Sequence, residues 1–383
     1  LTWLGSENAM THSGFNPYVH GARGLFAAQI LVFHLLGADW PFYPAAWSPG
    51  GRLLTRIMEY GVELFFCVSG YVMVQALARA PGPWSFLRDR AVRIMPLLWI
   101  NVAASLVLGM LSSTRSIWSL PAPEIAALGV ANMLALPGIF PIATFNPATW
   151  SLSYEMLFYA LCALWLGAGG KGRAALGLAA IALLLFYPRA LPFVIGLLVG
   201  LDRGGGKGGL TARPGLAVGL FLVAWATIQA LSADGTLLID TTLLDWLGDP
   251  RVVLAAVALV CLRFGFQGLV DGAGRFGRFL ISRPMQFLGT ISYSFYLWQN
   301  AAIGAARRIL RWLVVDDPTH PLVMAAFPVL ATAILLLIAI ASHRLIEVRL
   351  TRWLRAKLGG AATPPITPAA PPAASPPPAP ASP

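Results

Sequence analysis

Residues 321–346 read PLVMAAFPVLATAILLLIAIASHRLI. Twenty-two uncharged residues precede the first ionisable side chain, His343, and the first full charge is Arg344. A helix needs about 20 predominantly apolar residues to cross the hydrocarbon of a bilayer. This stretch therefore predicts a membrane-spanning helix, and it sets the template for reading the rest of the chain.

Nine further stretches fit that template: Gly21–Leu36, Tyr60–Ala78, Val92–Leu111, Trp150–Leu166, Ala174–Tyr187, Leu191–Leu201, Pro214–Leu231, Val252–Leu262 and Met285–Ile303. Several are short, so their ends are open by a few residues. Pro121–Leu136 is apolar too, but Pro121, Pro123, Glu124 and Pro137 mark it as interfacial or re-entrant. The expected fold is all-α, a polytopic membrane protein of about ten transmembrane helices.

Composition agrees. Of 383 residues, 57% are hydrophobic and 11% charged, against roughly 25% charged in a soluble domain. A soluble fold of this length has no core large enough for so much apolar surface. The net charge of +11 does not point to nucleic acid, because the basic residues are scattered between apolar runs and not gathered on one face. Cys67, Cys162 and Cys261 all lie in apolar runs without a CxxC pair, so neither a disulfide framework nor a metal site is expected.

Lys and Arg favour cytoplasmic loops. With ten spans and the N-terminus inside, nineteen of the 27 basic residues fall inside, among them Arg79, Arg88, Arg90, Arg93, Lys171, Arg173, Arg263 and the run Arg344–Lys357. Asp234, Asp240, Asp245 and Asp249 fall outside, and Arg307, Arg308 and Arg311 are the exception to the trend. Counting Pro121–Leu136 as an eleventh span would put Lys171, Arg173, Arg203, Lys207 and Arg213 outside. The expected placement is multi-pass in the cell membrane with both termini cytoplasmic. Residues 1–20 form an N-terminal cytoplasmic segment without a signal-peptide core, and residues 21–350 form the membrane domain. Residues 358–383, rich in Pro and Ala, cannot bury a core and are expected to be disordered. Gly204–Gly206 reads as a flexible loop, since no strand precedes it and no GK[ST] follows.

Ionisable residues inside spans are costly and usually functional. Arg23 opens the first span and His34 lies eleven residues on. They are therefore roughly 16 Å apart along one helical face, an arrangement suited to an anionic donor leading to a base. An imidazole titrates near neutrality and can take a hydroxyl proton. Thr149-Trp150-Ser151-Leu152-Ser153-Tyr154-Glu155 carries a carboxylate one turn inside its span, placed to orient His34 or simply to favour the helix N-terminus. Gly61, Ser69 and Gly70 suit close helix packing. Arg88, Arg90 and Arg93 suit phosphate binding or topology marking.

These segments resemble the integral-membrane acyltransferase-3 family. The resemblance rests on the Arg23-to-His34 stripe, Gly61–Tyr71, Arg90-Ala91-Val92-Arg93-Ile94-Met95-Pro96 and Trp150–Glu155. Leu288–Trp298 and Ser342–Glu347 match more weakly. It implies ten spans, an acyl-CoA donor (usually acetyl-CoA) on the cytosolic side, a saccharide or glycoconjugate acceptor on the other, and no bound cofactor. Carried over by position, His34 is the expected catalytic base and Glu155, like Arg23, a functional polar partner; His34 and Glu155 are both expected to act in catalysis, with their contact left open. Arg23, Arg90, Arg93, Ser69 and Tyr154 are the expected donor or substrate contacts. Two departures stand out. Gln299 occupies a position after Tyr296-Leu297-Trp298 where the family often has a histidine, and the esterase-like domain of larger members does not follow. The expected function is O-acylation of a saccharide hydroxyl from acyl-CoA, with membrane lipids as surroundings. The rival from another class is a transporter or flippase, which commonly shows inverted repeats; none is visible here. A non-catalytic assembly subunit would not need the His34 stripe.

Overall fold

The computed structural model describes residues 15–37, 48–112, 120–202, 210, 213–232, 241–246, 248–272, 274–314 and 319–358. His12, the Gly204–Gly206 run, Asp234, Asp240 and the tail from 359 lie outside these. In chain order the helices are α1 (Pro17–Leu36), α2 (Pro49–Met58), α3 (Gly61–Arg79), α4 (Pro83–Ser112), α5 (Ala122–Met133), α6 (Thr149–Gly167), α7 (Gly170–Phe186) and α8 (Leu191–Leu201). They continue with α9 (Pro214–Leu231), α10 (Leu243–Trp246), α11 (Arg251–Asp271), α12 (Gly274–Leu280), α13 (Arg283–Val314), α14 (Pro321–Ser342), a π-helical stretch His343–Leu350, and α15 (Thr351–Lys357). No β-strand occurs among the described residues; Pro137 and Phe140 form one isolated bridge. Each of the ten apolar stretches is helical.

Local chemistry sets the ends. α1 starts four residues before Gly21 because Asn16 caps it, its Oδ1 accepting from the backbone N–H of Tyr18 at 2.9 Å and Val19 at 3.1 Å, with Pro17 as the first helical residue. α11 stops at Gly272, whose left-handed φ of 70° suits glycine. Any Cβ there would also strike the Tyr18 ring.

Contacts between helices fix their directions. α1 and α13 run parallel: Gly24 packs on Gly289, where a Cβ would lie 2.7 Å from the Gly289 nitrogen, and Ala27 O accepts from Gln299. α4 runs with α13, since Ile94 O meets Tyr293 and Asn101 meets Leu297 O. α6 runs against α4, with Tyr159 on Phe86 and Asn146 on Asn101. α3 runs with α6, joined by Phe66–Trp150 and Ser69–Glu155. α8 runs with α3, and bare Gly70 and Gly196 let the two backbones touch at Phe193 O and Cys67 O. α9 and α11 are antiparallel through Val218–Gly265 and Pro214–Gly268.

Followed along the chain, α1, α3, α4, α6, α7, α8, α9, α11, α13 and α14 alternate in direction. The start of α1 and the end of α14 share one end of the bundle, here called the basic end. α5 sits on the connection between α4 and α6, both of whose adjoining termini lie at the opposite end. It therefore does not traverse the bundle, as its flanking prolines predicted.

As membrane crossings, the expected count of ten is not confirmed. Six helical stretches are long and apolar enough: α1, α2–α3, α4, α9, α11 and α14 with its extension. The pair α7 and α8 qualifies only together and is bent by 119°; α8, with 11 residues, is about 16 Å long. α6 and α13 fall short in apolarity because they carry the polar residues of the site described next. Three apolar clusters fill the bundle, and Phe65 of α3 packs against all of them.

Candidate active site

His34 sits near the end of α1, away from the basic end. Its Nδ1 lies 2.8 Å from Oε1 of Gln299. Gln299 is fully buried, and its amide is oriented by a second bond, Nε2 donating to Ala27 O at 3.0 Å. An amide oxygen only accepts hydrogen bonds. Nδ1 of His34 therefore carries the proton, and Nε2 keeps its lone pair. The position that cannot itself do acid–base work thus fixes the tautomer of the histidine that can. Beside Gln299, the buried amides of Asn101 and Asn146 both donate to Leu297 O, and Asn300 donates to Asn146 Oδ1 at 3.3 Å.

Arg23, Arg90, Arg93 and Glu155 gather at the basic end and the middle of the bundle. The charges of Arg93, Glu347 and Glu155 all act on Arg23. Those of Arg93 and Glu155 act on Arg90. Arg93 is exposed, yet its charge reaches His20, Arg23, Tyr159, Tyr293 and Arg355. It therefore lies close to these groups, in one cluster with them. Nε and Nη1 of Arg90 are buried without a hydrogen-bond partner; its guanidinium lies 5.9 Å from the Phe86 ring centroid. Unsatisfied buried donors are rare and call for a missing acceptor.

Glu155 belongs to this cluster. Ser69 Oγ donates to its Oε1 at 2.9 Å, and Tyr159 OH donates to the same oxygen. Among the described residues no hydrogen bond joins it to His34, a contact the sequence left open. Ser69, one of the small residues suited to packing, is instead a polar partner. Gly61 and Gly70 do pack closely, Gly61 on Ile30 and Gly70 on the α8 backbone. Tyr154, adjacent to Glu155, turns the other way. Its ring stacks 5.9 Å from Phe66 and stands edge-on to Trp150 and Tyr187.

Three groups were not singled out from sequence. Glu347 accepts from the Ser294 backbone N–H at 3.1 Å and from the Ser294 hydroxyl, and lies 3.5 Å from His343. The π-helical stretch carries it, a geometry frequent at functional sites. Arg189 pairs with the buried Glu63 at 2.9 Å. Asn146 organises the turn into α6, accepting from Ala148 N. The signal available for Glu63 and Glu347 was an acid within or beside an apolar run; Asn146 offered none.

A family profile described as an acyltransferase domain matches residues 16–343. The exopolysaccharide production protein ExoZ of Rhizobium meliloti (strain 1021) is 28% identical over 325 residues, covering 78% of this chain and 90% of that protein. The acyltransferase MdmB of Streptomyces mycarofaciens is 30% identical over 156 residues, covering 39% of this chain and 38% of MdmB. No solved structure matches the chain.

Proposed function

The chain belongs to the integral-membrane acyltransferase-3 family, and from that premise we propose that it moves an acyl group, acetyl in the first instance, from acyl-CoA to a hydroxyl of a saccharide or glycoconjugate. The observation that carries this reading is the His34–Gln299 pair near the far end of the helix that also carries Arg23. It supplies a base of fixed tautomer about 16 Å from a basic cluster. ExoZ is named for exopolysaccharide production, which favours a glycan acceptor.

In this reading Arg23, Arg90 and Arg93 bind the phosphates of CoA, whose pantetheine arm carries the thioester up the bundle. Guanidinium groups pair with phosphate oxygens through charge-assisted bonds, and the unsatisfied donors of Arg90 gain acceptors. Glu155, held by Ser69 and Tyr159, balances the arginines and orients Arg23. His34 Nε2 takes the proton of the acceptor hydroxyl as its oxygen attacks the thioester carbonyl. The tetrahedral intermediate collapses, the C–S bond breaks, and the imidazolium returns its proton to the leaving thiolate. The basic end faces the cytoplasm, where acyl-CoA resides and where the positive-inside bias puts these residues.

The test is transfer of radiolabelled acetyl from acetyl-CoA by purified protein in lipid nanodiscs, with mass spectrometry of surface glycans from cells with and without the gene. Release of CoA together with acetylated glycan is expected. Absence of both, with the protein folded, would refute the reading.

A further inference from the structure

At the end of the bundle opposite the basic end lies a cavity of about 480 Å³, within the size range of small-molecule sites. Its walls include Glu59, Trp150, Tyr154, Tyr187, Arg189 and Thr241. Glu59 comes from the junction of α2 and α3, Trp150 and Tyr154 from the first turns of α6. Tyr187 and Arg189 come from the break between α7 and α8, a 3₁₀ turn at Pro188–Ala190. Interrupted helices in membrane proteins commonly present binding groups. Here the 119° turn is what brings Tyr187 and Arg189 to the cavity.

The wall chemistry is specific. Arg189 lies 4.8 Å from the centroid of Trp150, 2.9 Å from Glu63 and 3.5 Å from Glu59. The Trp150 and Tyr154 rings stand edge to face at 5.7 Å, and Tyr154 and Tyr187 at 5.9 Å. Tyr187 is itself positioned by its hydroxyl donating to Ile139 O at 3.1 Å. Among the described residues two carboxylates surround one guanidinium, so these walls offer no excess positive charge to an anion, unlike the cluster of Arg23, Arg90 and Arg93. A plain alkyl chain would take water from the Glu59 and Arg189 head groups and offer them no hydrogen bond in return, which is costly. A ligand with apolar C–H faces and a rim of hydroxyls satisfies both kinds of wall.

We propose that this cavity is a subsite for a neutral sugar ring of the acceptor, held by the aromatic walls and by hydroxyl bonds to Glu59 and Arg189. That the sugar is an acceptor rests on the acyltransferase reading; that the cavity takes a neutral sugar does not. The experiment is saturation-transfer NMR on the full chain in nanodiscs, with cellobiose, maltose and lactose as neutral probes and glucuronate as the anionic one. At least one disaccharide should receive saturation and glucuronate should not. Trp150→Leu should weaken that binding by about five- to tenfold, and Glu59→Gln by about tenfold, with acetyl-CoA affinity unchanged in both. Where Trp150→Leu does not fold, Trp150→Phe keeps a smaller ring and should give an intermediate loss. Undiminished disaccharide binding in the variants would overturn the proposal. So would glucuronate binding more strongly, or no disaccharide bound by the wild type. A protein that binds the sugar but never releases CoA from acetyl-CoA would instead defeat the acyltransferase reading and leave this one standing.

Discussion

His34 and Gln299 meet across two parallel helices with a sequence offset of 265 residues, the same offset that joins Gly24 to Gly289 where the backbones touch. The register of α1 on α13 is therefore set at the glycine pair and delivered, about 15 Å further along, as a hydrogen bond at 2.8 Å. The histidine is held by Oε1, Oε1 by the amide orientation, and that orientation by Ala27 O on the helix that carries the histidine.

If His34 is the general base, His34→Ala should lower kcat by roughly 100- to 10,000-fold. Gln299→Leu removes the acceptor on Nδ1 and leaves the imidazole free to take the wrong tautomer. It should lower kcat by about 10- to 100-fold, the usual cost of losing a positioning partner, with both KM values little changed. The double variant should be hardly slower than His34→Ala alone. A Gln299→Leu enzyme of normal kcat would show that the bond has no part in catalysis.

Glu155 shares no hydrogen bond with that pair. Glu155→Gln should therefore act through the donor site, raising the KM for acetyl-CoA. In a double-mutant cycle with Gln299→Leu the two effects should add in free energy within about 0.5 kcal/mol. Strong coupling would instead join Glu155 to the histidine's work.

Arg90→Ala with Arg93→Ala should raise the donor KM more than it lowers kcat, because phosphate contacts persist through the reaction. A charge-assisted bond contributes about 1.5–3 kcal/mol, or about 10- to 100-fold in affinity. Unchanged donor KM in a normally expressed double variant would leave these arginines as topology markers.

Orientation can be read by cysteine labelling. Cys67, Cys162 and Cys261 are buried, and a Cβ at Gly169 or Gly248 meets no atom within 4 Å. Gly169→Cys, at the basic end, should react with an impermeant maleimide only in opened cells; Gly248→Cys, at the other end, should react in intact ones. The reverse pattern would invert the proposed orientation.

Much of this architecture is legible in one sequence because its signals are local. Apolar runs of helical length located the ten helices named above, though not ten membrane crossings, and Pro121, Pro123 and Pro137 marked an apolar run whose flanking helices meet at one end of the bundle. Gly70 announced a close helix contact. What stayed hidden depends on pairs distant along the chain. Nothing near Gln299 says that it will face His34, and nothing near Ser69 says that its hydroxyl will serve Glu155 instead of merely being small. Arg189 reads as one more loop cation until Glu63, 126 residues earlier, is seen beside it. The crossing count resists for a related reason: the polar side chains that α6 and α13 bring to the candidate site also lower their apolarity.

The parallel pairing of α1 with α13 also orders the protein's biogenesis. At about 5–20 residues per second, Gln299 is synthesised between about ten seconds and a minute after His34. During that interval α1 waits in the bilayer with Arg23 and His34 facing no α13. Such polar side chains are costly in lipid, so α1 must be sheltered meanwhile by α3 and α4 or by the insertion machinery. A ribosome stalled before α13 would leave an inserted chain with a base but no means of holding its proton in place.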